Sequence, residues 1–261
     1  MGIQMVTIEG NIGSGKTTVG RHIAKYMPDT KFFPAPGRSK NPHWNAFHED
    51  PKGNALKMQS WFLRERLRVY VEALKHMEKK SESVVLDFSV WSDEIFATAH
   101  FEHGYMTSAE YKEYQALTQA IFALRLPPPH LTIVLYAAPA VCLARVNGLE
   151  RPALDERYLD RLDELHRQRY LRDVDTVFTP RWMAAQRISP DAPGLAPAPS
   201  LLTLVRDWSD LSKVKPTAIG DAVMCTDPVD YSAWYAPFKA EGVASRIAAL
   251  LQASAEPVPL A

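Results

Sequence analysis

The run Gly10-Asn11-Ile12-Gly13-Ser14-Gly15-Lys16-Thr17-Thr18 has the spacing G-x-x-x-x-G-K-[ST]. Glycines at these positions let successive backbone N–H groups turn inward around a phosphate. The helix that opens near Lys16 adds its positive end. Lys16 can reach the outer phosphates of a polyphosphate, and the Thr17 hydroxyl can hold Mg²⁺. The motif follows an apolar strand and opens a helix, which is the context the chemistry requires. A second candidate is Asp87, a carboxylate at the end of the apolar run Val84–Asp87. In a parallel sheet that position lies at the carboxyl edge, where ligands bind. His100 and His103 flank Glu102, but a metal site needs more convergent ligands, so a solvated helix end is expected there. The same argument applies to His43 and His48 in their loop. No zinc, haem or flavin is expected.

Alternating elements must position these groups. Ile3–Glu9 reads as a strand, Lys16–Tyr26 as a helix and Thr30–Phe33 as a second strand. Residues 34–53 carry several Pro, Gly, Asn and His and read as a long loop. Apolar residues near helical spacing predict a long helix over Ala55–Lys80. Val84–Asp87 shows no alternation, which predicts burial on both faces. Helices follow at 92–103 and 107–125, a strand at Leu131–Ala137, helices at Ala140–Val146 and Asp155–Asp173, and a short candidate strand at Thr176–Phe178. This alternation implies an α/β three-layer sandwich, a parallel sheet with helices on both faces. The expected organisation is a P-loop domain over 1–188, a Pro-rich linker over 189–200 and a C-terminal extension over 201–261. Trp208, Trp234 and Tyr235 in the extension read equally as ordinary packing or as an aromatic docking surface.

The 261 residues carry 30 basic and 30 acidic side chains, so no nucleic-acid-binding surface is expected. Cys142 and Cys225 cannot build a disulfide framework and read as small buried hydrophobes in a reducing compartment. No apolar run approaches membrane-spanning length. The chain enters its first strand at Ile3, with no stretch of transit- or signal-peptide character ahead of it.

Several words occur together in a fixed order: IEGNIGSGKTT at the P-loop, EDP at Glu49–Pro51, MQSWFLRER at Met58–Arg66, DFSVWSD at Asp87–Asp93 and YLDRLDELH at Tyr158–His166. In this the chain resembles the deoxynucleoside kinases over roughly residues 3 to 180. The resemblance implies a five-stranded parallel sheet, Mg²⁺ with ATP or a deoxynucleotide at the P-loop, a nucleoside over the long helix and an arginine-bearing lid. It implies phosphate contacts from Gly10, Asn11, Gly13, Ser14, Gly15, Lys16, Thr17 and Thr18, with Arg145 and Arg151 in the lid. Gln59 and Asp93 would read the nucleobase edge, Arg66 would line the sugar end of the pocket, and Trp61 and Phe96 would pack around the base. Asp87 would join Thr17 near the metal. From the residues alone, Gln59 and Arg66 also fit a solvated helix face, and Trp61 and Phe96 fit an ordinary core.

Three positions depart from the family pattern. The general base that should precede a proline after the second strand is Ala35. The arginine after the strand-three carboxylate is Phe88, and Leu149 replaces the middle arginine of the lid. One branch of the family is the kinase-like accessory subunit of mitochondrial complex I. The chain resembles that branch at Phe33–Gly37, at Gln59-Ser60-Trp61, in SVVLDFSVWSD and in LPPPHLTIVLYAAP. That resemblance implies a nucleotide-binding, non-catalytic role beside other subunits of complex I, on the matrix side of the inner mitochondrial membrane. The alternative is an active, cytoplasmic and dimeric deoxynucleoside kinase that moves the ATP γ-phosphate to a nucleoside 5′-hydroxyl, with Asp87 standing in as base.

Overall fold

The computed structural model describes residues 4–147, 156–170, 202–207 and 242–252. The chain divides into two compact units. One comprises Met1–Ala35, Ala73–Ser89 and Pro128–Val229, the other Pro36–Glu72, Val90–Pro127 and Asp230–Ala261.

The first unit carries the sheet. Strands β1 (Met5–Gly10), β2 (Thr30–Phe33), β3 (Ser83–Asp87), β4 (Leu131–Tyr136) and β5 (Leu202–Asp207) lie in the order β2-β3-β1-β4-β5. Every neighbouring pair is parallel. β1 is therefore central, with Val6 in register with Val85 on one side and Leu131 on the other. It is buried along its whole length, as its apolar run requires. Val6, Ile8, Val85, Leu131, Ile133 and Leu135 pack against Val19 and Ile23 of helix α1 (Lys16–Tyr26), with Phe32 alongside. Each such fully buried aliphatic side chain contributes about 1.5–3 kcal/mol. The one polar pair in this layer, Thr7 and Thr132, is satisfied by a 3.0 Å bond between its hydroxyls. Helices α6 (Pro139–Asn147) and α7 (Glu156–Tyr170) complete the described part of this unit.

The fifth strand corrects the expected domain boundary. Leu202–Asp207 was expected in the C-terminal extension, yet it pairs with β4 through six residues. The parallel edge of β4 needs hydrogen-bond partners, and this segment supplies them. Thr176–Phe178 and the linker 189–200 lie outside the described residues.

In the second unit α2 (Trp44–Glu49) and the main part of α3 (Pro51–Lys80) precede α4 (Asp93–Glu102) and α5 (Ser108–Phe122), and α8 (Val243–Gln252) ends the described chain. The segment 34–53 is not the long loop expected. It contains a 3₁₀ turn at Arg38–Lys40 and all of α2, and α3 starts at Pro51. Proline suits the first helical position because its missing N–H has no helical partner there. Asn41 anchors the approach, donating from Nδ2 to the Met58 carbonyl at 3.0 Å and accepting from the His43 N–H at 2.9 Å. Phe47 then packs with Ala55, Met58 and Met106. α5 opens on a capping box, Thr107 and Glu110 each accepting the other's backbone N–H. Its Tyr111 ring stacks on Phe101 of α4 at 4.5 Å between centroids.

Candidate functional site

The phosphate loop leaves the carboxyl end of β1, where the strand order reverses direction. Gly10 has φ +138° and Gly13 φ +80°. A Cβ on Gly10 would fall on the Leu135 carbonyl oxygen, and one on Gly13 would come within 2.6 Å of the Cys142 carbonyl oxygen. Only glycine meets both the backbone angles and the close approach of β4 and α6. Asn11 fastens the loop to α7, its Nδ2 donating to the Leu159 carbonyl at 2.8 Å, while its Oδ1 accepts from the Ile12 N–H at 2.8 Å. Gly15 (φ +99°) precedes the first turn of α1. Ser14 is buried, and Thr18 is exposed.

Lys16 is folded onto this loop. Its Nζ donates to the carbonyls of Gly10 at 2.9 Å and Asn11 at 2.6 Å, and it stands 4.2 Å from the centroid of the Phe88 ring. Arg145 on α6 reaches the same loop, its Nη1 lying 3.4 Å from the carbonyl oxygens of both Gly13 and Ser14. Arg151 and Leu149 lie outside the described residues.

The Thr17 hydroxyl donates to Asp87 Oδ2 in a short contact. The chain then turns sharply after β3. Phe88 sits at φ +72°, a conformation costing a non-glycine residue about 1–2 kcal/mol. Two bonds hold it there: the Phe88 N–H donates to the Ile8 carbonyl at 3.1 Å, and the Ser89 N–H donates to Glu9 Oε1 at 2.9 Å. Glu9 is wholly buried, and sequence reasoning missed it. Its signal was a carboxylate inside the apolar run Met5–Gly10, a place that demands a partner. Ala35 is half-buried just past β2 and offers only a methyl group where a carboxylate was looked for.

Thr17 and Asp87 bring two hard oxygen donors together, a set that fits Mg²⁺ with phosphate and water completing its shell. Among the described residues no group of three His, Cys, Asp or Glu converges to hold a metal without such help. Mg²⁺ in that place would neutralise phosphate charge.

A separate polar cluster lies in the second unit, between α3, α4 and α5. Asp93, the first residue of α4, is fully buried. Its Oδ1 accepts from Gln59 Nε2 at 2.7 Å and from the Tyr114 hydroxyl at 2.7 Å, and its Oδ2 accepts from Arg66 Nη1 in a short ion pair. Arg66 also covers the Phe96 ring at 5.1 Å. Burial pushes the Asp93 carboxyl up, against the opposing pull of Arg66, Gln59 and Tyr114. Burial, followed by the Asp93 charge, drives the Tyr114 phenol well above its ordinary range. Gln59 and Arg66 thus belong to a buried network and not to a solvated helix face. Trp61 is half-buried, edge-on to Phe62 at 5.3 Å. Tyr114 was not foreseen. It falls in the buried stripe Tyr114-Leu117-Thr118-Ile121 of α5, and a phenol in such a stripe needs a hydrogen-bond partner. His100 is likewise buried, not solvated: it lies edge-on to Phe47 at 5.1 Å, and burial followed by the His103 charge lowers its pKa to about 3.

The sequence model of the deoxynucleoside kinase family matches residues 6–186. The chain belongs to the deoxynucleoside kinase family. Among curated members of that family, the deoxyguanosine kinase of Dictyostelium discoideum is 30% identical over 168 residues, covering 63% of this chain and 58% of that protein. NADH dehydrogenase (ubiquinone) 1 alpha subcomplex subunit 10, mitochondrial, of Bos taurus is 26% identical over 194 residues, covering 66% of this chain and 56% of that one. The chain thus matches little more than half the length of these relatives. A deoxyadenosine kinase from M. mycoides, solved with products dCMP and a flexible dCDP, superposes with a TM-score of 0.62 at 19% identity, covering 84% of this chain and 96% of that one. At that identity the likeness is one of fold, and it agrees with the parallel sheet described above.

Proposed function

We propose that this deoxynucleoside kinase family member holds a nucleotide with little or no phosphoryl transfer and serves as an accessory subunit of mitochondrial complex I. The observation that carries the reading is the pair of replacements around an intact phosphate loop. Ala35 provides no acceptor for a 5′-hydroxyl proton, and Phe88 puts an aromatic ring beside Lys16 where an arginine was expected. A general base is worth about 10² to 10⁴ in rate, or roughly 3–5 kcal/mol of barrier. Cations that neutralise the moving phosphoryl group are worth as much or more. Asp87 does not make good the loss, because its carboxylate is turned to Thr17 and the expected cation. The location follows from the 26% identity to the bovine complex I subunit and from the words shared with that branch. No helix among the described residues is long and apolar enough to cross a membrane, which suits a subunit docked on the matrix side.

A second reading is an active deoxynucleoside kinase, favoured by the 30% identity to the Dictyostelium deoxyguanosine kinase and by the buried Gln59–Asp93–Arg66 cluster. One assay separates the two. Purified protein is incubated with labelled ATP, Mg²⁺ and a panel of deoxynucleosides. Turnover well below about one per second is expected, below the ordinary enzyme range. The double variant Ala35→Glu, Phe88→Arg should raise it at least about tenfold. Turnover of several per second by the unmodified chain would overturn the non-catalytic reading. Failure to co-purify with an NADH dehydrogenase assembly would remove the complex I part alone.

A further inference from the structure

The second unit holds a carboxylate whose lone pairs are already assigned. This inference rests on the reading, carried by the family resemblance, that the α3–α4 cluster can hold a nucleoside. Asp93 Oδ1 accepts two bonds, from Gln59 Nε2 and from Tyr114 Oη, each at 2.7 Å. Two acceptances fill that oxygen. Oδ2 is engaged by Arg66. A carboxylate paired to a guanidinium only accepts, so the Gln59 amide must turn its NH₂ toward Asp93. Its Oε1 then accepts from no described residue.

We infer that Tyr114 sets which nucleobase the cluster takes. By occupying Asp93 Oδ1 it withdraws the carboxylate as an acceptor for the base. Gln59 Oε1 remains to receive one N–H, and the Arg66 guanidinium lies next to it in the network to meet a carbonyl. That pattern matches the lactam edge of 6-oxopurines and 4-oxopyrimidines, one N–H beside one C=O. An exocyclic amine instead brings two N–H groups to a single acceptor, and the second is buried without a partner. Leaving a buried donor unmade weakens binding by about tenfold to a hundredfold. Tyr114 acts through Asp93 and Gln59 and is a positioning residue, not a group that touches the base.

The test is titration calorimetry on the full chain with two pairs of ligands, deoxyinosine against deoxyadenosine and thymidine against deoxycytidine. Members of the first pair differ only at position 6 and the neighbouring ring nitrogen. The unmodified chain should bind the oxo member of each pair at least about tenfold more tightly. Tyr114→Phe keeps the ring and its packing but frees one lone pair of Asp93. It should narrow the ratio to within about threefold, mainly by strengthening the amino ligands, with ATP binding unchanged. A purely structural tyrosine would weaken both members alike. Equal affinities in the unmodified chain, tighter binding of the amino members, or a ratio untouched by Tyr114→Phe would overturn the inference. The ratio in the unmodified chain decides even if the variant fails to fold. If ATP binds but none of the four nucleosides does, the nucleoside-holding reading falls and takes this inference with it.

Discussion

The Lys16 ammonium stands 4.2 Å from the centre of the Phe88 ring while it donates to the carbonyls of Gly10 and Asn11. In this arrangement the charge meant for a polyphosphate is stabilised by the loop itself. A nucleotide must draw it away from the ring and the carbonyls. Lys16→Ala should therefore weaken ATP binding by at least about a hundredfold, the loss of charge-assisted bonds worth roughly 1.5–3 kcal/mol. Equilibrium dialysis with labelled ATP measures it. Retention of bound nucleotide by Lys16→Ala would show that the phosphate site is elsewhere.

Thr17 and Asp87 should make ATP affinity depend on magnesium. Chelating Mg²⁺ should weaken binding to the unmodified chain by about tenfold or more. In Asp87→Asn the chelator should have little further effect, because the anionic oxygen that holds the cation is gone. The same dialysis with and without chelator gives the answer, and an undiminished magnesium effect in Asp87→Asn would reassign the cation ligand.

Gly10→Ala should damage the fold as well as the site. The backbone at φ +138° is strained for any residue with a Cβ, and the added methyl meets the Leu135 carbonyl of β4. Strain of about 1–3 kcal/mol and overpacking of about 1–3 kcal/mol should add. Urea denaturation should show a lowered midpoint for Gly10→Ala, and Lys16→Ala should not share that drop.

His100 predicts an acid-sensitive second unit. Burial, then the His103 charge, holds its folded pKa near about 3, far below its ordinary value of 6.5. Between those values the unfolded chain binds a proton that the folded chain refuses, so stability rises with pH there. The contribution is fully present above pH 6.5 and is lost as pH falls toward 3, at up to about 1.4 kcal/mol per pH unit. Urea midpoints measured from pH 7 to pH 4 should fall in the unmodified chain and flatten in His100→Phe, whose ring keeps the contact with Phe47. Equal slopes in the two proteins would rule out His100 as the source.

The P-loop spacing, the strand that feeds it and the carboxylate at the end of β3 could all be read from the chain, because each depends on local backbone chemistry and near neighbours. Glycine is needed at Gly10 and Gly13 whatever surrounds them, and a lysine after that turn has one obvious ligand. The losses at Ala35 and Phe88 were equally plain, since a methyl or a phenyl ring cannot do the work of the charged group it replaces. What the sequence left undecided depended on contacts far apart along the chain. The fifth strand comes from Leu202–Asp207, because the open edge of β4 takes whichever segment can reach it and pair. Gln59 and Arg66 are buried and not solvated because Asp93 and Tyr114, 34 and 21 residues apart from their respective partners in the network, converge on them. Glu9 holds Ser89 across 80 residues. A polar side chain states a need for a partner; only the packing of helices and strands determines which one meets it.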